Sequence, residues 1–245
     1  MCKLLITTCP LNRDEVRQLL IETSTKFETQ RDGFGFAAFD EEGRRRAWGR
    51  YFPFYSGWGY GRYNDKDRIE VGKLPETTHT LLVHGRISTN VKGVNYCHPF
   101  RQNDSYLIHN GVLQWQGPDE ERSNHPNDSG AFLEWLTAHN RPSKVWKKYW
   151  AGYGALAIMR GGEGGLEVVK CARANLVMAA TRDKGYILST LERDMPRWLE
   201  PSDGWPLNAG VIKFDKAGEI SEVDKFPGFG ERKWDWRMAR SIGGR

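Results

Sequence analysis

Short apolar runs joined by tight turns fill the second half of this sequence, and they constrain its fold more than any other feature. Each run has the length and composition of a strand, and the turns between them are rich in Gly and Asp. Strands joined by such short turns pair in antiparallel fashion. The predicted pairs are 154–160 with 166–171, 176–181 with 186–189, and 211–214 with 220–223. The sequence therefore predicts a domain dominated by antiparallel sheet.

A helix is predicted near the start of the chain, over residues 13–26. Asn12 is a suitable N-cap, and acidic residues follow it in the first turn. Val16, Leu19 and Leu20 then recur at helical spacing. This pattern predicts an amphipathic helix with one face on the core.

A second helix is predicted to begin at residues 128–129, with Phe132, Trp135 and Leu136 on its apolar face. A strand over 106–109 is predicted to end in Asn110-Gly111, after a loop that covers residues 91–105. Further strands are predicted at 3–8, 36–39, 47–51 and 78–83. Strands and helices mixed in this way indicate a single α+β domain.

Charge and cysteine content narrow the class of protein. The 36 basic residues face 31 acidic ones, a net charge of +5 without long blocks of one sign, so a solvated surface explains the excess better than nucleic-acid binding. No apolar stretch approaches the ~18 residues of a membrane span. The four cysteines are scattered and lack CxxC spacing, which indicates reduced thiols in a cytoplasmic protein.

The pair Met1-Cys2 suggests a nucleophile at the N-terminus. Cysteine has a small side chain, so we expect methionine aminopeptidase to remove Met1 and expose it. The residue would then carry a thiol with a pKa near 8.5 and an α-amine with a pKa of about 7.7 to 8.0. Because the amine can accept the thiol proton, one residue supplies both nucleophile and base.

Six motifs, in order, resemble the class II glutamine amidotransferase domain, an N-terminal nucleophile hydrolase. Within that family the chain looks most like the free-standing branch that includes the ergothioneine-pathway γ-glutamyl hydrolase. The resemblance covers about residues 1–225, and the tail 226–245 forms no separate domain. The motifs are Met1-Cys2, Asp32-Gly33-Phe34-Gly35, His84-Gly85-Arg86-Ile87-Ser88-Thr89, Asn95-Tyr96-Cys97-His98-Pro99-Phe100, Ile108-His109-Asn110-Gly111 and Asn127-Asp128-Ser129.

The resemblance implies a four-layer αββα sandwich with two mainly antiparallel sheets, and it implies a catalytic group of three residues. Cys2 would attack the amide carbonyl and form a thioester. The side chain of Asn110 and the backbone N–H of Gly111 would form the oxyanion hole. The expected activity is hydrolysis of the γ-amide of glutamine, or of a γ-glutamyl amide.

The resemblance also implies a set of substrate-binding residues. Arg86 would bind the substrate α-carboxylate and Asp128 its α-ammonium group. Thr89 would assist Arg86 or line the carboxylate site, and His98 would support the pocket floor. Read one at a time, these residues allow simpler explanations: Arg86 as a surface ion-pair partner, Asp128 as a helix N-cap, and Asn110-Gly111 as a turn.

No cofactor, metal or membrane partner is expected. His84, His98, His109 and His125 lack the spacing of a metal site on one helix. Cys97 and Cys171 are predicted to be buried thiols. Two other functions stay open: an ammonia-donating subunit of a separate synthetase, and a catalytically idle scaffold or nucleic-acid-binding protein.

Overall fold

Strands dominate the part of the chain that the structure, a computed structural model, describes: residues 2–26, 32–51, 74–87, 93–115, 127–138, 150–161, 165–182 and 185–225. The first half contains β1 (Lys3–Thr7), β2 (Leu11–Asn12), α1 (Arg13–Lys26), β3 (Phe34–Phe39), β4 (Arg45–Tyr51), β5 (Thr77–Thr78), β6 (Thr80–Gly85), β7 (Phe100–Gln102) and β8 (Ser105–Trp115). The second half contains α2 (Asp128–Ala138), β9 (Trp150–Arg160), β10 (Gly165–Lys170), β11 (Val177–Ala180), β12 (Tyr186–Ser189), β13 (Trp205–Pro206), β14 (Gly210–Phe214) and β15 (Ile220–Lys225).

The strands form two large antiparallel sheets and one small one. The first large sheet has the order β13-β11-β12-β1-β6-β3-β4, and the second has the order β15-β14-β10-β9-β8-β7. Strands β2 and β5 pair separately. The three predicted hairpins of the second half are confirmed as β9–β10, β11–β12 and β14–β15.

Alternating side chains along each strand divide the core into three layers. In β1, Leu4 and Ile6 pack between the two large sheets, while Leu5 packs against α1. In β8, Ile108 lies between the sheets and Leu107 packs against α2. The helices therefore cover the two outer faces, and the structure is the predicted α+β sandwich of four αββα layers.

Helix α1 begins where the sequence predicts because its first turn forms a capping box. The Glu15 N–H donates to Asn12 Oδ1 at 3.0 Å, and the Asn12 N–H donates to Glu15 Oε2 at 2.7 Å. Both N–H groups lack partners within the helix, so this reciprocal pair stabilises the start of α1. Val16, Leu19 and Leu20 are fully buried, as predicted.

The prediction that a strand ends at Asn110-Gly111 is wrong. Strand β8 runs through both residues and pairs with β9 from Ser105 opposite Arg160 to Trp115 opposite Trp150. The partner strand lies some forty residues later in the sequence, and its backbone groups satisfy the ladder that a local turn would have ended.

The predicted loop over 91–105 is wrong in part. A short 3₁₀ helix spans Val94–Tyr96, and β7 then pairs with the start of β8. Thr89, His125 and the tail 226–245 lie outside the described residues. None of the described helices is long and apolar enough to cross a membrane.

Candidate active site

Cys2 lies at one end of the space between the two large sheets. It precedes β1 directly, and the alternation that puts Leu4 and Ile6 between the sheets puts Cys2 on the same face. The Ile87 N–H donates to Cys2 Sγ at 3.4 Å, and the thiol donates to the Ile87 carbonyl at 3.5 Å. Ile87 follows β6, the strand beside β1, so the thiol is held at the open end of these two strands.

The charges of Arg86 and Asp128 both act on the Cys2 thiol. Burial raises the thiol pKa, the backbone hydrogen bond from Ile87 and the positive charge of Arg86 lower it, and the negative charge of Asp128 raises it. The net pKa is raised, so Cys2 is a neutral thiol near pH 7. Two other predicted site residues, Arg86 and Asp128, therefore lie within electrostatic range of the Cys2 thiol, which is protonated near neutral pH.

Backbone hydrogen bonds to the Asp32-Gly33 turn fix Arg86 in place. The Arg86 N–H donates to the Gly33 carbonyl at 2.7 Å, and the Asp32 N–H donates to the Arg86 carbonyl at 3.0 Å. Arg86 is 6% exposed, so it is not the surface ion-pair residue that its sequence context also allowed. Two of the predicted motifs thus form one unit in the fold.

A third motif packs beneath this unit. A Cβ on Gly33 would collide with Cys97 Sγ, and a Cβ on Gly35 would collide with the His98 carbonyl. Both glycines therefore allow the segment from Cys97 to His98 to lie directly against β3. Cys97 is fully buried, and burial raises the pKa of its thiol to about 11. Cys97 and Cys171 are buried as predicted.

Asn110 and Gly111 lie on β8, in the sheet that faces Cys2. Asn110 is 8% exposed, and the hydrogen bonds among the described residues do not use its side-chain amide. Gly111 has φ 148°, and a Cβ there would collide with the Tyr153 carbonyl and lie 2.5 Å from Gly154 Cα. Only glycine fits at this position, where the backbones of the paired strands β8 and β9 come close together.

Asp128 begins α2 but does not cap it, so the N-cap interpretation of this residue is wrong. Asn127 is the cap: the Ser129 N–H donates to its side-chain Oδ1 at 2.9 Å. The exposed Asp128 carboxylate instead accepts from the Ser129 N–H at 2.7 Å and from the Leu113 N–H at 3.0 Å. These bonds orient the carboxylate from both α2 and β8.

Behind Asp128, Ser129 connects the helix to a buried histidine. Ser129 Oγ lies 3.2 Å from Asp128 Oδ1 and 2.9 Å from His109 Nδ1. Because an ionised carboxylate only accepts, the hydroxyl donates to Asp128 and His109 Nδ1–H donates to the hydroxyl. Sequence reasoning missed Ser129, although its place beside Asp128 was a signal.

Three buried histidines lie close together near the site, and all three are neutral. His84 Nε2 lies 2.9 Å from the His109 carbonyl, and the rings of His84 and His98 are 4.1 Å apart between centroids. Burial lowers the pKa of His84 to about 3 and that of His109 to about 4, and it lowers the pKa of His98 well below 6.5. His98 also packs edge-on against Phe100, at 4.6 Å.

We expect these histidines to make the protein sensitive to mild acid. In the unfolded chain a histidine gains a proton below about pH 6.5, whereas in the folded protein it does not until much lower pH. These histidines therefore take nothing from the free energy of unfolding above about pH 6.5. Below that pH the unfolded chain is protonated and the folded protein is not, so each histidine lowers the free energy of unfolding by up to about 1.4 kcal/mol per pH unit as the pH falls towards 4. Urea denaturation between pH 7 and pH 5 measures this slope.

A variant of His98 tests the cause of this slope. Neither ring nitrogen of His98 has a hydrogen-bond partner among the described residues, so His98→Leu removes one protonation site without breaking a bond. The slope should become shallower in the variant, because one fewer proton is taken up on unfolding. An unchanged slope would contradict the assignment to buried histidines.

A surface groove in the described part of the chain lies away from this site. No group of three or more His, Cys, Asp and Glu side chains among the described residues is arranged to hold a metal. A groove of about 520 Å³ is lined by Asp40, Arg44 and Glu76, among others. The groove adjoins Asp40, which follows the last residue of β3. The opposite end of β3 is the one near Cys2, because its first residue, Phe34, pairs with Gly85, and Gly85 also pairs with Lys3.

Comparisons with known proteins agree with the fold. No family model and no curated protein matches the chain. A solved structure described as the allosteric regulatory enzyme of purine biosynthesis matches with a TM-score of 0.65 and 13% identity, over 92% of this chain and 49% of that one. Glutamine phosphoribosylpyrophosphate amidotransferase from B. subtilis, in complex with ADP and GMP, matches with a TM-score of 0.55 and 15% identity over the same shares. The chain therefore has the αββα fold of these two enzymes, across about half of the length of each.

Proposed function

We propose that this protein is a cysteine amidohydrolase that cleaves the γ-amide of glutamine, or a γ-glutamyl amide, through a thioester on Cys2. The reaction would take place in the cytoplasm, after removal of Met1. One observation carries the proposal: the Cys2 thiol lies within electrostatic range of a buried arginine that follows β6 and of an oriented aspartate at the start of α2, in a fold similar to that of an amidotransferase. The two charges match the head group of an amino acid.

The base in this proposal is the α-amine of Cys2 itself. The raised pKa of the thiol calls for a proton acceptor. The three buried histidines are poor candidates, because His84 is hydrogen-bonded to the His109 carbonyl, His109 is hydrogen-bonded to Ser129, and burial holds the pKa of all three low. An α-amine with a pKa near 8 needs no other residue to reach the thiol.

The reaction then follows in two halves. The amine takes the Sγ proton, Sγ bonds to the γ-carbonyl carbon, and the negative oxygen is stabilised by the Asn110 amide and the Gly111 N–H. The carbon–nitrogen bond breaks as the ammonium of Cys2 returns the proton to the leaving amine. Water, deprotonated by the same amine, attacks the thioester, releases glutamate and restores the thiol.

Recognition of the glutamyl head is assigned to Arg86 and Asp128. The guanidinium fork of Arg86 suits a carboxylate, and Asp128 presents an exposed carboxylate to the substrate ammonium. The hydrogen bonds from Leu113 and Ser129 support this assignment, since they hold the Asp128 carboxylate in one orientation before substrate arrives. Thr89 is proposed to assist Arg86, and His98 to support the floor beneath it.

A second candidate is an ammonia-donating subunit that serves a separate synthetase. It is favoured by the length of the two similar enzymes, because this chain spans only 49% of each. Co-purification with an ATP-using partner that raises glutamine hydrolysis would support this candidate. Full hydrolysis by the isolated protein would support the free-standing hydrolase.

The glutamine analogue 6-diazo-5-oxo-norleucine tests the proposal directly. It should alkylate Cys2 with loss of N₂, because Arg86 and Asp128 place its reactive carbon against the thiol. Intact-mass and peptide analysis would show one adduct on the first residue of a chain that lacks Met1. Excess glutamine should prevent labelling.

The control for this experiment is an undirected thiol reagent. Iodoacetamide needs no glutamyl site. If the head group guides the analogue to Cys2, glutamine should protect Cys2 far less from iodoacetamide than from the analogue. Equal labelling of several cysteines by the analogue, or labelling that glutamine does not slow, would overturn the proposed function.

A further inference from the structure

We propose that Lys3 and Asp194 form a buried positioning pair that holds Cys2 in its attacking position. The inference rests on the proposed function and adds two residues to it. Neither side chain faces the substrate, so both would act only through the backbone that carries the nucleophile.

Ladder pairing of β1 begins at different residues on its two sides. On the β6 side it begins at Lys3 opposite Gly85, and on the β12 side it begins at Leu5 opposite Ser189. Thr190 extends the β12 side by one residue, because its N–H donates to the Leu4 carbonyl at 3.2 Å and its hydroxyl accepts from the Leu4 N–H at 3.4 Å. Cys2 lies beyond both ladders, and residues at a strand end open more readily than residues inside a ladder, so a nucleophile there gains from a further restraint.

The side chain of Lys3 provides such a restraint. Its ammonium lies 3.2 and 3.3 Å from the two carboxylate oxygens of Asp194 and donates to the Lys26 carbonyl at 2.9 Å. The side chains of Lys3 and Asp194 are only 13% and 5% exposed. A charge pair shielded from water in this way is costly to break, because each partner would leave the other buried and unpaired.

Asp194 is itself fixed, so it can serve as an anchor. It ends the 3₁₀ helix Glu192–Asp194, whose last N–H donates to the Leu191 carbonyl at 3.0 Å. Lys26 Nζ donates to the Asp194 carbonyl at 3.2 Å. The end of α1, the segment after β12 and the start of β1 are therefore connected at one point.

This anchor lies on the opposite face of the sheet from the thiol. Leu5 packs on the α1 side and Leu4 packs between the sheets, so Lys3 points towards α1 and Cys2 into the site. The pair can fix the backbone at residue 3 without occupying the substrate pocket. Loss of the pair should therefore change the position of Sγ and leave the glutamyl head group site intact.

Lys3→Met and Asp194→Asn test this inference in the full-length protein. We expect kcat for glutamine to fall about 10- to 100-fold, since a shift of about 1 Å in a reacting group can cost that much, with KM changed less than about threefold. Lys3→Arg keeps the charge and should retain most of the activity. Lys213→Met, which removes the exposed Lys213–Glu222 pair, is the matched control and should behave as wild type.

Two reagents distinguish positioning from a general loss of structure. In Lys3→Met and Asp194→Asn, labelling of Cys2 by 6-diazo-5-oxo-norleucine should slow in step with kcat, while alkylation by iodoacetamide should not slow. A rise in KM at unchanged kcat, or variants that match Lys213→Met in every assay, would overturn the inference.

The inference can also fail separately from the proposed function. Amide hydrogen exchange at Leu4 and Leu5 reports the order of β1 whether or not glutamine is a substrate. Faster exchange at these residues in Lys3→Met and Asp194→Asn supports the positioning pair, and unchanged exchange overturns it. A wild-type protein that is never labelled by the analogue would count against the proposed function alone.

Discussion

Replacing Cys2 with alanine should abolish hydrolysis of glutamine and of γ-glutamyl amides. Without Sγ no thioester can form, and loss of a catalytic nucleophile typically lowers kcat by about 10⁴-fold or more. The fold should be retained, because among the described residues the thiol makes two long hydrogen bonds, both to Ile87, at 3.4 and 3.5 Å. Glutamate release measures the activity, and thermal unfolding measures the fold.

Cys9→Ala is the matched control for this variant. It also removes one thiol, but Cys9 is 1% exposed and packs against α1, so the change should cost some stability and leave kcat unchanged. Residual turnover above about one per cent in Cys2→Ala would remove Cys2 as the nucleophile, since no catalysed path should survive its loss. If Cys2→Ala kept another property of the protein, such as salt-sensitive binding to nucleic acid, the catalytically idle alternative would be favoured.

Asn110→Ala should have the second largest effect. Its side-chain amide makes no hydrogen bond within the described structure, so truncation removes a donor from the site without breaking an internal bond. Loss of one oxyanion donor typically lowers kcat by about 10²- to 10³-fold, or about 3 to 4 kcal/mol of transition-state stabilisation. KM for glutamine should change little, because the proposed head-group site consists of Arg86 and Asp128 and not of Asn110.

Asn12→Ala is the matched control: it also replaces an asparagine with alanine, but it should lower stability and leave kcat unchanged. Asn12 caps α1, and loss of an N-cap typically costs about 1 kcal/mol of stability. Its kcat should equal that of wild type, because the capped helix end lies outside the proposed site. If Asn110→Ala instead lowered stability and left kcat unchanged, Asn110 would be a structural residue and the oxyanion hole would have to be sought elsewhere.

Elements with local signals were predicted well from the sequence. Helix α1 was predicted to span 13–26, and it does, because its cap, its charges and its apolar face all lie within fifteen residues. The hairpins β9–β10, β11–β12 and β14–β15 were predicted from turns that lie between their own strands. In each case the interacting groups are close in sequence.

Elements that depend on distant partners were predicted poorly. Strand β8 was expected to end at Asn110-Gly111, since this dipeptide favours a turn when read alone. It continues because β9 supplies a backbone partner for each residue up to Trp115. The short strand β7 was missed for the same reason: it has only three residues and exists through its pairing with β8.

The candidate site shows the same division. Motif order indicated Cys2, Arg86, Asn110 and Asp128, but it did not indicate the hydrogen bonds of Ser129 or the contact between Lys3 and Asp194. Ser129 and Lys3 sit beside predicted site residues, yet their partners lie on other elements. Asp194 has no motif of its own, and its distance from Lys3 in the chain is 191 residues.

The sequence by itself determined the α+β class, the extent of α1, the three late hairpins and the types of residue available for chemistry. These follow from side-chain periodicity and turn composition, which act over a few residues. Only the tertiary structure decided that Cys2 lies in electrostatic range of both Arg86 and Asp128, and that Asn110 and Gly111 continue a strand of the sheet opposite Cys2. The reason is that this arrangement forms only when the two sheets pack face to face, and that packing joins segments that are about a hundred residues apart.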